Sequence, residues 1–251
     1  MIEDRRVIIT GGASGMGAGL VRAFPKLGAR VVSMDLSEMA GSEVAREAGA
    51  SGFCRVDVTD EDSVAAAVES AVDILGGLDV LIHAAGIAPS ARTEEMTLDH
   101  WNRVIAINAT GTMLMNRAVF PHLRENGGAI LNFASAAGMK GHPGKAAYAA
   151  AKGAVIAWGR TLAAEWGKYG ISVNSIAPAI WTPMYDKTRS ELTAEQLAVH
   201  DQLKMAAIPM GGRLGDIERD FVPVMAFLAS SGAHFVTGQI LPIDGGMMMT
   251  R

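Results

Sequence analysis

Val7-Ile8-Ile9-Thr10-Gly11-Gly12-Ala13-Ser14-Gly15-Met16-Gly17 is a short apolar, β-branched run followed by a glycine-rich segment. Beyond it, Leu20, Val21, Phe24 and Leu27 recur at helical spacing. The stretch therefore reads as strand, glycine loop, helix, the setting that a phosphate-binding turn requires. Glycine permits the tight turn, and the missing side chains let a diphosphate approach the backbone. The helix N-terminus adds unpaired N–H groups and the positive end of its dipole. A second strand, Arg30-Val31-Val32-Ser33-Met34, ends at Asp35, close to the spacing of about 20 residues at which a carboxylate meets an adenosine ribose. A carboxylate there accepts from the ribose 2′-hydroxyl and repels a 2′-phosphate, so NAD(H) is expected in preference to NADP(H). Arg30 stands at the opposite end of that strand from the ribose.

The same alternation continues along the chain. Strands are expected at 6–10, 30–34, 52–56, 78–83, 128–134, 171–177 and 239–243, and helices at 15–28, 38–48, 61–75, 97–124, 147–168, 187–205 and 216–230. Runs such as Val80-Leu81-Ile82 are continuously apolar, as strands are when helices cover both faces of a parallel sheet. The fold class is thus α/β: a doubly wound (Rossmann) seven-stranded parallel sheet with right-handed crossovers, in a single domain spanning 1–251. Ligands of such sheets bind at the carboxyl ends of the strands. Gly11 to Gly17, Asp35, Asp57, Ala84 to Gly86, Ser135 and Pro178 all fall there.

Tyr148 and Lys152 are four residues apart in the expected 147–168 helix and so share a face. An ammonium beside a phenol stabilises the phenolate, bringing its proton exchange nearer neutrality. Ser135, thirteen residues before the tyrosine, supplies a hydroxyl to hold a substrate oxygen against the phenol. Together these groups can move a proton on or off an alcohol oxygen.

Composition narrows the field. The 251 residues, 49% hydrophobic and 19% charged, suffice for one large α/β domain, and no linker, charge block or repeat divides them. A net charge of −4 with scattered basic residues argues against nucleic acid as a partner. No apolar run reaches the length of a membrane span, and the first residues are polar, so neither membrane insertion nor a signal peptide is expected. The single Cys54 excludes an internal disulfide and suits a reducing cytoplasm. No His, Cys and acidic residues have metal-ligand spacing; His83, His142 and His234 are isolated. Of fifteen methionines, most read as core filler, with Met247-Met248-Met249 an apolar tail.

With these motifs in place, the chain resembles the short-chain dehydrogenase/reductase family over essentially its whole length. The family's Thr-Gly-x3-Gly-x-Gly motif is matched by Thr10-Gly11 and Gly15-Met16-Gly17, its acid–Val pair by Asp57-Val58, and its active-site asparagine by Asn108. Ser135 and Tyr148-x3-Lys152 match the remaining catalytic positions. The segment from Gly238 to Gly246 resembles the family's final strand. The resemblance implies that Ser135 hydrogen-bonds the substrate oxygen and that Tyr148 is the base in alcohol oxidation and the acid in carbonyl reduction. Lys152 then binds nicotinamide-ribose hydroxyls and lowers the tyrosine pKa, while Asn108 holds a water that links the lysine to solvent. It also implies a cofactor groove built from Gly11, Ser14, Gly15, Met16, Gly17, Asp35, Leu36, Asp57, Val58, Ala84, Ala85, Gly86, Tyr148, Lys152, Pro178, Ile180 and Thr182, with Asp57-Val58 at adenine. Two segments depart from the family: Asn-Asn-Ala-Gly becomes His83-Ala84-Ala85-Gly86, and Pro-Gly-x3-Thr becomes Pro178-Ala179-Ile180-Trp181-Thr182.

The expected substrate is a small-molecule secondary alcohol or its ketone, roofed by a lid at 179–206. Ser135, Tyr148, Met139, His142, Trp181 and Tyr185 are expected to line its pocket. Alicyclic, aromatic or steroid alcohols, sugars and 3-hydroxyacyl thioesters all remain open. An NADPH-dependent 3-oxoacyl reductase and a catalytically silent nucleotide-binding protein are the alternatives. Relatives of this kind are commonly tetramers, and small residues expected on outward helix faces (Ala109, Gly111, Ala151, Ala154, Gly159) suggest helical contacts in a homotetramer, with Phe221 to Phe227 and the last strand as a second interface.

Overall fold

A computed structural model describes residues 2–248, so Met249 of the methionine tail lies outside the described residues. Seven strands form one sheet: β1 (Arg6–Thr10), β2 (Arg30–Asp35), β3 (Gly52–Arg55), β4 (Val80–His83), β5 (Gly128–Phe133), β6 (Ile171–Pro178) and β7 (Ile240–Ile243). Their order is β3-β2-β1-β4-β5-β6-β7, and every pairing is parallel. The order reverses between β1 and β4, where a doubly wound sheet opens its ligand crevice. The helices are α1 (Gly15–Ala23), α2 (Glu38–Ala48), α3 (Glu61–Leu75), α4 (Leu98–Ile105), α5 (Gly111–Leu123), α6 (Ala136–Lys140), α7 (Ala146–Trp166), α8 (Pro183–Ser190), α9 (Ala194–Ala207) and α10 (Val222–Ala229).

Why the strands read as unbroken apolar runs is visible in the two cores. Successive side chains of a strand point to opposite faces. Val7 and Ile9 enter one core with Leu20 and Val21 of α1, Phe24 just after it, and Met225 and Leu228 of α10. Ile8 enters the other with Val64 and Val68 of α3, Met115 and Val119 of α5 and Leu162 of α7. Neither face meets water, so both are mainly apolar and a polar side chain such as Asn132 needs a buried partner.

Expected and observed helices differ in informative places. The expected 97–124 helix is α4 and α5 joined by a π-turn, Ala106–Thr110. A second π-turn, Ile217–Phe221, precedes α10 within the expected 216–230 helix. The first helix stops at Ala23 because Pro25 begins a separate 3₁₀ turn, Pro25–Leu27. The lid is two helices rather than one: α8 starts earlier, at Pro183, and Thr193 begins α9 with a reciprocal capping box to Gln196. The five-residue α6 lies in a stretch read only as a pocket wall.

Three small residues expected on outward faces point inward. Gly111 lies against Val58, where an added Cβ would be 2.9 Å from the valine Cγ2. Ala151 packs with Val104, and Gly159 sits against the Ser175 hydroxyl. Phe221 is likewise fully buried, stacked edge-on with Phe133 at 5.8 Å between ring centroids. Close packing of α5 and α7 on the sheet uses these positions up.

Between β5 and α5 the buried Asn116 and Asn132 side chains exchange reciprocal hydrogen bonds of 3.0 and 2.8 Å, and the Trp158 indole donates to Asn116. Asn132→Ala leaves the buried Asn116 Nδ2 without its acceptor, while Asn116 Oδ1 keeps the Trp158 indole. It is expected to lower stability by about 1–3 kcal/mol, measured as a shift in the urea midpoint at unchanged slope.

Candidate active site

The glycine loop leaves β1 at Gly11, whose φ of +69° favours glycine, and a Cβ there would stand 2.9 Å from the Ala85 amide. A Cβ at Gly17 would collide with the Gly11 carbonyl oxygen. Ser14 is the N-cap of α1 yet makes no capping bond with its side chain, so its hydroxyl stays available at the helix N-terminus. Asp35 braces the loop from β2: one carboxylate oxygen accepts from the Ala13 amide at 3.1 Å and the other from the Ser37 amide at 2.9 Å. Each oxygen keeps a lone pair for a further donor. Asp57 accepts both the amide and the hydroxyl of Thr59, which hold its pKa below the usual carboxylate range.

These elements enclose a groove of about 510 Å³. Gly11, Ser14, Gly15, Met16, Gly17, Asp35, Leu36, Asp57, Val58, Ala84, Ala85, Gly86 and Thr182 all line it, as expected from sequence. Val56, Thr59, Ile87, Arg103, Ile107, Phe133, Pro183 and Met184 line it as well and were missed. Arg103 and Ile107 are a helical turn apart, a spacing that could have paired them, but nothing in the sequence says which face of α4 meets the groove. A dinucleotide fits this groove: a loop without side chains at the helix N-terminus, and a carboxylate at the end of β2.

A smaller cleft of about 130 Å³ continues from the groove, sharing Met16, Ala84, Gly86, Ile87, Phe133 and Met184 with it. Asn108, Ser135, Tyr148, Lys152 and Pro178 meet there. Ser135 caps α6, accepting from the Ala137 amide at 3.1 Å. α6 presses so closely on α7 that a Cβ on Gly138 would lie 2.6 Å from the Lys152 carbonyl carbon. This contact sets the serine over the tyrosine and lysine. Asn108, fully buried in the π-turn, binds the loop after β4 in both directions, accepting from the Ile87 amide and donating to the Ile87 and Val104 carbonyls.

The electrostatics differ from the simple ammonium-and-phenol picture. Burial raises the Tyr148 pKa above the ordinary phenol, and the opposing influence is its hydrogen bond with Ser135. The Lys152 ammonium stands 5.7 Å from the Tyr148 ring centroid and donates to the Phe133 carbonyl at 2.6 Å. Burial lowers its pKa to about 8. His83, in the strand position where the family carries asparagine, is fully buried with its pKa lowered to about 3 by burial and by Lys152.

The other expected site residues lie elsewhere. The Ile180 side chain packs into the core with Phe221 and Met225, and the bridge of residue 180 to Gly215 is made by the Ala179 carbonyl and the Trp181 amide on either side of it. Met139 packs on Val155 and Ile156, and His142 is exposed, bonded to the Pro143 carbonyl. Trp181 donates to Asp186, and Tyr185 pairs with His200 at 2.8 Å, so both are tied within the lid. None of these four substrate candidates lines the cleft; Met184 does.

Crevice, glycine loop and serine–tyrosine–lysine cleft together define a nucleotide-dependent oxidoreductase architecture. A family model described as enoyl-(acyl carrier protein) reductase matches residues 11–248. The chain is 38% identical over 251 residues to 2,5-dichloro-2,5-cyclohexadiene-1,4-diol dehydrogenase of Sphingobium indicum, covering 98% of this chain and 96% of the relative. It is 39% identical to cis-4-hydroxycyclohexanecarboxylate dehydrogenase of Sinomonas cyclohexanicum, covering 97% and 96%. The crystal structure of levodione reductase superposes with a TM-score of 0.89 at 32% identity, covering 98% of each chain. The chain belongs to the short-chain dehydrogenase/reductase family, oxidoreductases that use nicotinamide cofactors. Among the described residues, no helix is long and apolar enough to cross a membrane, and no cluster of His, Cys, Asp and Glu could hold a metal ion.

Burying the Lys152 ammonium has a cost that pH reveals. Its folded pKa lies below the ordinary lysine value of 10.5, so the penalty is complete below about pH 8 and is relieved as pH rises towards 10.5. Lys152→Met is therefore expected to raise the melting temperature at pH 7 and to lose that advantage by pH 10.5, as calorimetry across this range would register.

Proposed function

We propose that the protein is an NAD(H)-dependent dehydrogenase that interconverts a cyclic secondary alcohol and its ketone, with Tyr148 as acid and base. The observation that carries this reading is the meeting of Ser135, Tyr148 and Lys152 in a cleft continuous with the nucleotide groove. Ser135 holds the substrate oxygen. Tyr148 takes the hydroxyl proton during oxidation and returns it during reduction. Lys152 would hold positive charge beside the phenolate and, with a nicotinamide cofactor bound, would donate to its ribose hydroxyls. A bound nicotinamide supplies the hydride chemistry. Asn108 spends its side-chain amide on the backbone, so any water it holds for the lysine is bound through its main chain.

Asp35 supports NAD(H). Its free lone pairs suit a ribose diol, whereas a 2′-phosphate would meet a fixed negative charge. A ring-shaped alcohol is supported by relatives named for a cyclohexadienediol, two hydroxycyclohexanecarboxylates and L-fucose. A homotetramer remains part of the proposal, with the half-exposed Val224 and Phe227 of α10 as one contact.

Titration with NADH and NADPH, followed by tryptophan quenching, tests the cofactor. NADH is expected to bind at least tenfold more tightly, and Asp35→Ser is expected to erase the difference. Equal affinities for the wild type would refute the Asp35 reading. Tyr148→Phe is expected to keep NADH binding and lose about 10²-fold or more in kcat for cyclohexanol-type substrates. A variant with full turnover would remove Tyr148 from the chemistry.

A further inference from the structure

We propose that Lys145 makes this cleft selective for a substrate carrying an anionic group, such as a carboxylate, away from the reacting hydroxyl. The inference deepens the dehydrogenase reading above and rests on it for the location of the hydroxyl.

Lys145 is the N-cap of α7, three residues before Tyr148. Its ammonium donates to the carbonyl of Ala88, and Ala88 lines the cleft with Ser135 and Tyr148. The loop on which it stands is fixed twice: the Lys145 amide donates to His142, and the neighbouring Gly144 carbonyl accepts from Ala91 at 3.0 Å. The ammonium therefore has a defined place behind Ala88, at the edge of the cleft rather than among its lining residues.

That place is poorly furnished for a cation. Lys145 is half-buried, and the partial loss of water lowers its pKa. An ammonium has three donors, and the Ala88 carbonyl takes one. Glu191, at the end of the lid helix α8, acts on it through space, yet the two form no ion pair among the described residues. An incoming carboxylate would satisfy donors that the protein leaves over. A charge-assisted hydrogen bond of this kind is stronger than a neutral one.

The test measures binding apart from turnover. Cyclohexanecarboxylate and, separately, neutral methylcyclohexanol are titrated into protein saturated with NADH by calorimetry, using wild type, Lys145→Met and Lys145→Arg. Lys145→Met is expected to weaken the carboxylate about 10- to 100-fold, leave the neutral alcohol within twofold, and be largely rescued by Lys145→Arg. In turnover with 4-hydroxycyclohexanecarboxylate, the same loss should fall on KM rather than kcat. Equal losses for both ligands would show that Lys145 only braces Ala88, and unchanged carboxylate affinity would likewise overturn the proposal. Lysine-dependent carboxylate binding by a protein that oxidises neither alcohol would instead sink the dehydrogenase reading and keep the anion site.

Discussion

One hydroxyl joins the two strands between which the crevice opens. Thr10, the last residue of β1, accepts from the Ala85 amide at 3.1 Å and bonds His83 Nδ1 at 2.9 Å. The imidazole is neutral at this depth and meets the threonine hydroxyl through Nδ1. The glycine loop on one side and Ala84 to Gly86 on the other are thus fixed to each other through a single side chain. The groove, the cleft and the approach of Asn108 to Gly86 all hang from this junction. Exchanging asparagine for histidine in β4 keeps a polar partner for Thr10, which is why the family departure at residue 83 leaves the architecture intact. His83 Nε2 has no hydrogen-bond partner among the described residues.

The site is assembled from different kinds of constraint. Backbone ladders place the ends of β1, β2, β4 and β5 within a few ångströms of their register. Steric closeness at Gly138 places Ser135, and a π-turn places Asn108. Burial then sets the charges: it raises the phenol, lowers the ammonium, and leaves the serine hydrogen bond as the influence drawing the phenol down. A cofactor with its own charge and ribose hydroxyls enters an environment already strained towards neutral forms.

How much of this the sequence discloses depends on the range of the interaction. Strands such as Val80–His83 are legible because burial on both faces demands continuous apolar residues. The glycine loop, Asp35 and the Tyr148–Lys152 pair are legible because each function dictates a local spacing. The π-turn at Ala106–Thr110 is invisible to a 3.6-residue period, since it adds one residue without changing composition. The core place of Ile180 depends on Phe221 and Met225, far away in the chain, and the inward faces of Gly111 and Gly159 depend on what packs against them. A small residue reads the same whether it admits another subunit or the protein's own Val58. The double lid helix did carry a signal, Thr193 three residues before Gln196, which the longer periodic reading passed over.

The lid has a further meaning for the entry of a guest. Helix α9 buries none of its side chains, and its partner α8 is attached largely through Trp181, Tyr185, Arg189 and their polar neighbours. The cleft beneath holds only about 130 Å³, well under the ~300 Å³ at which ligand-sized pockets begin. Because so little apolar surface is tied up in the lid, the roof can lift at small free-energy cost while the sheet stays whole. A roof held this way can yield to a guest while the floor keeps Ser135, Tyr148 and Lys152 in place.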